Sequence, residues 1–504
     1  MRDDSHSRPQ IQRIRDWLAA EPAAECLDDL AAWQAQLKAL LELDTPMAER
    51  SSCIGGLAAR LLDISDRFKP RLLAATLPLA REVHAGVLDI VRSLHEVGLR
   101  FDVDEEREAL DEDAVVEAAA WQMRLVGEAF LLSCMGGVEP PHPLWKTAHR
   151  LLLRHDRLIE ALAPGQALSP SVGALLGAYK RMLATAVLQP ESLTARELAW
   201  VHDYLDVVAG ATELSWRPLQ PESSVFWLNA REDNPPVAQV RRPPLGTGRV
   251  LFFSALALAK RVQEQIEWLE ARIAEAEVVG IERDGELLES DSSGLPLGLT
   301  PVEALSLLHR MHERWATPQT RDQPRRRKLY TVQVCKGLRE IWRMHKRGRP
   351  GDEVSEWMVY NESPGGYAII SVGGVHGVIS AGMALALRRG IGEPWSICVV
   401  RWVRSEKPEE VELGLQVVSE SCVPVSVAFR GASERTTTPA LLLPPREGRR
   451  NNAIMSPAGT YASRRFVMVR ETGQLYVAQG RVQSLDMQTA NIELYQYEID
   501  PYPI

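Results

Sequence analysis

The spacing of the apolar residues changes along this chain, and that change limits the folds open to it. From residue 11 to about 211 they recur every three or four positions, as in Leu27, Leu30, Trp33, Leu37 and Leu40, and again in Leu79, Val83, Val87, Ile90 and Leu94. Such spacing gathers them on one face of a helix. Further helices are expected near 115–135, 143–162, 169–187 and 194–211, with breaks at Pro70, Gly98, Gly136-Gly137, Pro140-Pro141, Pro164-Gly165 and Pro190. No constant repeat length recurs, so the region reads as a helical bundle or an irregular helical stack. Beyond residue 325 the apolar residues come in short, β-branched-rich runs separated by glycine, proline and charge clusters. That is the pattern of an antiparallel barrel.

A chain of 504 residues is too long for one core. The expected class is α+β multidomain, with a helical domain over 1–211, a mixed connector over 212–317, a barrel over 318–435 and a β-rich C-terminal extension over 436–504. The connector has strand candidates at Val225-Phe226-Trp227-Leu228 and Val250-Leu251-Phe252-Phe253, then an amphipathic helix from about Ala255 to Ala276. Thr300-Pro301-Val302-Glu303 announces another helix, with a capping box and proline at the first helical position. It runs to about Trp315, leaving 317–324 as the hinge into the barrel. In the C-terminal extension, Phe466-Val467-Met468-Val469, the run from Leu475 to Val482 and the run from Ile492 to Ile499 alternate as strands. They either extend the barrel or form a second sheet.

The formal net charge of −9 works against a nucleic-acid-binding role, so any anion site has to be local. The six cysteines are scattered without a Cys-x-x-Cys pair, which argues against a zinc site or a disulfide framework and fits a reducing compartment. The first residues are polar, and no apolar run approaches the ~18 residues of a membrane span. The sequence therefore reads as a cytoplasmic protein.

Two short segments carry chemistry. Arg321-Asp322-Gln323-Pro324-Arg325-Arg326-Arg327 supplies closely spaced guanidinium groups, planar and permanently charged, which bond phosphates bidentately and stack on purines. Asn361-Glu362-Ser363-Pro364-Gly365-Gly366 supplies an amide and a hydroxyl suited to a base edge, and a glycine where the backbone needs room. Together, and in this order, they resemble the Arg-x-x-x-Arg and Asp/Asn-x-Ser-x-x-Gly motifs of the PilZ domain family. Arg321 and Arg325 match the first motif, and Asn361, Ser363 and Gly366 the second. The strand phrases that follow, Tyr367-Ala368-Ile369-Ile370, Ser396-Ile397-Cys398-Val399-Val400 and Leu413-Gly414-Leu415-Gln416, are similar to those of the family's six-stranded barrel.

The resemblance implies a PilZ-like barrel and cyclic di-GMP as ligand, bound by Arg321, Arg325, Arg326, Asn361, Ser363 and Gly366. No further cofactor, metal or catalytic residue is implied. Because the arginines adjoin the hinge, ligand binding is expected to reposition the helical module, whose surface would meet a protein partner. The other reading is a degenerate barrel that serves as an interaction scaffold without nucleotide.

Several enzyme-like strings carry less weight. Glu303-Ala304-Leu305 spells a phosphodiesterase motif but falls on a capped first turn. Gly351-Asp352-Glu353 lacks the flanks of a cyclase signature, and His309 and His312 have no carboxylate-rich partner segment. Trp357 and Trp402 are expected to be core residues. No phosphate loop, nucleophile elbow or His-Glu-x-x-His is present, so the chain does not read as an enzyme.

Overall fold

The computed structural model describes residues 4–43, 47–100, 112–155, 168–244, 249–279, 295–318, 325–351, 354–371, 378–408, 410–429, 437–446, 448–460, 465–471 and 475–500. The N-terminal region folds as α1 (Asp4–Ala19), α2 (Cys26–Leu41), α3 (Met47–Ala74), α4 (Arg81–Arg100), α5 (Glu112–Gly136), α6 (Leu144–Leu153), α7 (Pro170–Val187) and α8 (Ala195–Val208). The helix expected over 143–162 is described to Leu153, and residues 156–162 lie outside the described set. Local chemistry sets several starts. Ser169 accepts from the Val172 amide with Pro170 at the first position, and Thr194 and Glu197 form a reciprocal capping box. The apolar stripes meet in one core around Trp33, Leu57, Phe68 and Tyr179. The Trp33 indole donates to the Leu57 carbonyl at 2.8 Å, which satisfies its only polar atom.

The connector shares that core. Strands β1 (Glu213–Ser215), β2 (Val225–Asn229), β3 (Val237–Ala238) and β4 (Val250–Ser254) form an antiparallel sheet in the order β1-β4-β2-β3. They are followed by α9 (Leu256–Val279) and α10 (Pro301–Ala316). Phe226, Phe253, Leu258, Ile266, Leu307 and Trp315 all pack into the core of the helical region. His149 adds a polar tie. Its Nε2–H donates to the Asn234 carbonyl at 3.0 Å, so Nδ1 is the atom that accepts from the Tyr179 hydroxyl at 2.8 Å.

Two closed barrels follow. The first comprises β5 (Arg326–Lys336), β6 (Val354–Ser363), β7 (Gly366–Ser371), β8 (Ala384–Arg388), β9 (Ser396–Lys407) and β10 (Glu410–Ser419), closing as β10-β7-β6-β5-β8-β9. Val332, Val334, Trp357, Val359, Ile369 and Leu413 fill it. The second comprises β11 (Val423–Phe429), β12 (Thr438–Leu443), β13 (Ala453–Pro457), β14 (Arg465–Arg470), β15 (Tyr476–Gln488) and β16 (Ile492–Ile499), closing as β11-β12-β13-β16-β15-β14. Of the two alternatives for the C-terminal strands, the second holds: they belong to a sheet separate from the first barrel. They close on themselves with β11. Each barrel seats an aromatic ring on a cross-strand glycine. A Cβ at Gly414 would collide with the Trp402 indole, and one at Gly480 with the Phe466 ring.

The basic spacer between the two sequence motifs folds as α11 (Leu338–Arg347), capped by Gly348 in the left-handed region at φ 70°. Leu338, Ile341 and Met344 are its buried face. That face packs with Cys335, Ala386 and Ile397 of the first barrel and Leu441, Leu443 and Leu494 of the second. The Trp342 indole also donates to the Val425 carbonyl of β11 at 2.7 Å.

The first barrel is thus gripped from two sides. From the helical region, Gly137 accepts from the Ser405 amide at 2.8 Å and Leu77 from the Ile379 amide at 3.1 Å, while His84 Nε2–H donates to the Ser405 carbonyl at 3.2 Å. From the second barrel, Thr489 Oγ1 donates to the Gly382 carbonyl at 2.8 Å and Asn491 Nδ2 to the Ala381 carbonyl at 2.9 Å.

Two outcomes test this packing. Gly414→Ala should cost about 1–3 kcal/mol through overpacking against Trp402, whereas Gly173→Ala, with open space around its Cβ on helix α7, should stabilise by about 0.5–1 kcal/mol. Chemical denaturation measures both. For His149, burial pushes the imidazole pKa from 6.5 down to about 4. The folded ring stays neutral while the unfolded ring takes up a proton, so this contribution is whole above pH 6.5 and is lost as the pH falls towards 4. Stability should drop by about 1–3 kcal/mol over that window, with a visibly shallower slope in His149→Gln. Equal slopes would contradict the assignment.

Candidate functional site

The second motif is the tight hairpin between β6 and β7. Ser363 pairs with Gly366 across the turn Pro364-Gly365, and the Gly365 carbonyl accepts from the Val417 amide of β10 at 3.0 Å. Gly366 is needed for closure. A Cβ there would collide with the Leu415 carbonyl oxygen of β10, so any side chain would push β7 off its neighbour.

Strand register lines up one row across five strands. Arg327 on β5 pairs with Asn361 on β6, Asn361 with Ala368 on β7, Ala368 with Gly414 on β10, and Gly414 with Trp402 on β9. Paired residues share a face, and the flanking Val359, Ile369 and Leu413 point into the barrel, so the row faces outward. Ala368 and Gly414 leave a low floor between the Asn361 amide and the indole. Trp402 reaches this face because a register shift between Gly414 and Leu415 turns it out of the barrel. The Arg404 guanidinium lies 5.3 Å from its ring centroid. The expectation of two core tryptophans therefore holds for Trp357, which is fully buried, and fails for Trp402.

Asn361 is the informative member of the row. Its Oδ1 is buried and has no hydrogen-bond partner among the described residues. An acceptor left open in this way costs about 1–3 kcal/mol, a cost that a donor supplied from outside would remove. Ser363 stands beyond it on the same side of β6, its hydroxyl 3.4 Å from the Gly366 carbonyl.

Of the first motif, Arg321 lies in residues 319–324, outside the described set. Arg325 immediately precedes β5 and is exposed. It approaches Tyr360, whose pKa is pushed up to about 12 by burial and the Glu412 carboxylate, with Arg404 and Arg325 opposing the rise. Arg326 opens β5 opposite Glu362, while Arg327 stands opposite Asn361. The two motifs are thus antiparallel neighbours.

Glu362, unremarked as a functional residue in the sequence, points the other way, to the mouth of the barrel. It accepts from Lys328 at 2.8 Å, from the Tyr330 hydroxyl at 2.6 Å and from Arg389 at 3.1 Å. The Lys328 bond, then the Tyr330 bond, hold its carboxyl below the usual range despite desolvation. Arg389 also lies over the Tyr330 ring at 4.9 Å. This cluster ties the arginine strand to the motif strand and neutralises a carboxylate that would otherwise repel an anion. Its signal in the sequence was alternation: residues on either side of Glu362 face outward, so Glu362 faces in.

The other strings fall away. The Glu303 carboxylate accepts from the Thr300 amide at 2.8 Å as the helix cap, and His309 sits 3.5 Å from Glu270 on the side of α10. Asp352 and Glu353 lie outside the described residues. Cations at the start of one strand, an open amide and a hydroxyl on the next, and a flat floor ending at an indole suit a planar ring carrying anionic groups.

Comparisons with known proteins bear on the same regions. Residues 12–221 match the family model described as the N-terminal domain of the cyclic-di-GMP receptor FimW, and residues 343–424 match its middle PilZ domain. The cyclic-di-GMP receptor FimW of Pseudomonas aeruginosa is 31% identical over 88 residues, which are 17% of this chain and 14% of that protein. The first barrel is a PilZ domain.

Proposed function

We propose that the chain is a cyclic di-GMP receptor whose ligand lies on the outward face of β6, β7 and β10. The observation that carries this reading is the buried, unpartnered Asn361 oxygen in register with Arg327 and Trp402. A guanine offers N–H donors to that oxygen and presents O6 and N7 to a guanidinium. Arg321 and Arg325 hold phosphate and guanine from the β5 side next to Arg327; Asn361 and Ser363 seat a base edge, and Gly366 keeps the floor clear. Arg326, paired with Glu362, stands on the face of the barrel mouth and not on this row. The Trp402 indole offers a stacking surface at the far end of the floor. The likeness to proteins named as cyclic-di-GMP receptors supports the choice of ligand.

The role is that of a receptor and not of an enzyme. Ligand bonds to Arg321 and Arg325 hold the connection at 317–324 against the barrel. They thereby bias the placement of the helical module, which presents its surface to a protein partner. The ligand can shift that placement only by as much as it prefers one arrangement. Among the described residues no helix is long and apolar enough to cross a membrane.

Calorimetric titration of the full chain with cyclic di-GMP tests the assignment. Each charge-assisted bond removed is worth about 1.5–3 kcal/mol, so Arg321→Ala with Arg325→Ala should weaken binding at least ~100-fold, and Asn361→Ala about tenfold. No heat with the wild type, or unchanged affinity in the double variant, would overturn the reading and favour a scaffold.

A further inference from the structure

The Pro364-Gly365 turn is held from behind by a residue that belongs to neither sequence motif. Val417, whose amide binds the Gly365 carbonyl at 3.0 Å, lies at a register shift between Val417 and Ser419 on β10. Such a shift takes carbonyls out of the ladder, and they need other donors. The donors come from the second barrel. Arg446 donates to the Val417 carbonyl at 2.6 Å, and Arg449 to the Val418 carbonyl at 3.4 Å and to the Pro444 carbonyl at 2.7 Å.

This pair is built to present two guanidinium groups to consecutive carbonyls. Arg446 and Arg449 exchange both backbone hydrogen bonds, each at 2.9 Å, and Gly448 between them takes φ 82°. Arg449 is buried, and a permanently charged fork is placed there only with acceptors in reach. An unbroken run of hydrogen bonds thus leads from the hairpin that carries Ser363 and Gly366 to the loop between β12 and β13.

We propose that Arg446 and Arg449 are positioning residues for the ligand site, setting the height of the 363–366 hairpin over β10, and that through them the second barrel registers ligand occupancy. The proposal rests on the reading of that face as the cyclic di-GMP site. Neither arginine touches the ligand. Each acts through the Val417–Val418 backbone. Because coupling is reciprocal, whatever the clamp adds to affinity the ligand returns as order in the clamp.

Amide hydrogen exchange on the full-length protein, read beside nucleotide titration, tests this. In ligand-free protein, Arg446→Ala should speed exchange of the Val417 amide about tenfold and leave the midpoint of global unfolding nearly unchanged, with Arg446→Lys intermediate. With cyclic di-GMP, the same variant should bind about 5- to 20-fold more weakly and Arg446→Lys less so, while in the wild type saturating ligand should slow exchange at residues 448–450. Unchanged Val417 exchange in Arg446→Ala overturns the mechanical link even if the nucleotide binds. Faster exchange with unchanged affinity overturns the positioning role. A wild type that binds no nucleotide overturns the function reading and the positioning role with it, while the ligand-free arm still decides whether the clamp exists. If Arg446→Ala fails to fold, Arg446→Lys alone carries both comparisons, with the same outcomes deciding.

Discussion

Closure of the first barrel through the β7–β10 pairing is the constraint on which the rest of the molecule depends. That pairing brings Gly366 against the Leu415 carbonyl and sets Ala368 beside Gly414. The candidate site is measured from it. The outward row from Arg327 to Trp402 exists because five strands hold one register, and the low floor exists because its central residues are alanine and glycine. A larger residue at Gly366 would part the strands, and one at Gly414 would displace the indole.

The same barrel joins the other two parts of the chain. The helical region meets it at Ile379 and Ser405, and the second barrel meets it at Ala381, Gly382, Val417 and Val418. Many of these are bonds to backbone atoms, which do not give way by changing rotamer. Residues 379–382 are shared, with Leu77 bound at one end and Thr489 at the other. A ligand that altered strand spacing in the first barrel would therefore be felt by both neighbours, and α11, packed between the barrels through Ile341 and Met344, ties the two β-units into one support.

Much of this was legible in the sequence where the determinants are local. The capping box at Thr300, the connector strands beginning at Val225 and Val250, and the helical periods of α2 and α4 all depend on near neighbours. The hairpin at Asn361–Gly366 was legible for the same reason. What escaped depends on distant pairings. Nothing near Val423 says that it will pair with β12 and β14 to close a second barrel, because closure is a property of six separated strands. The outward turn of Trp402 hangs on one register shift against β10. The helix α11 was obscured by its charge, although Leu338, Ile341 and Met344 recur at threes. The site's residue types were readable, but the order Arg327, Asn361, Ala368, Gly414, Trp402 was not, since it joins positions far apart in the chain.

The claim that ties these parts together is that cyclic di-GMP engages the open Asn361 amide on the outward row. The most direct measurement is the side-chain amide signal of Asn361, in protein labelled at asparagine and assigned by Asn361→Gln, followed as cyclic di-GMP is added. This signal should shift and saturate together with calorimetric binding, while the distant Asn229 and Asn234 stay still. Binding heat with an unmoved Asn361 signal would contradict it.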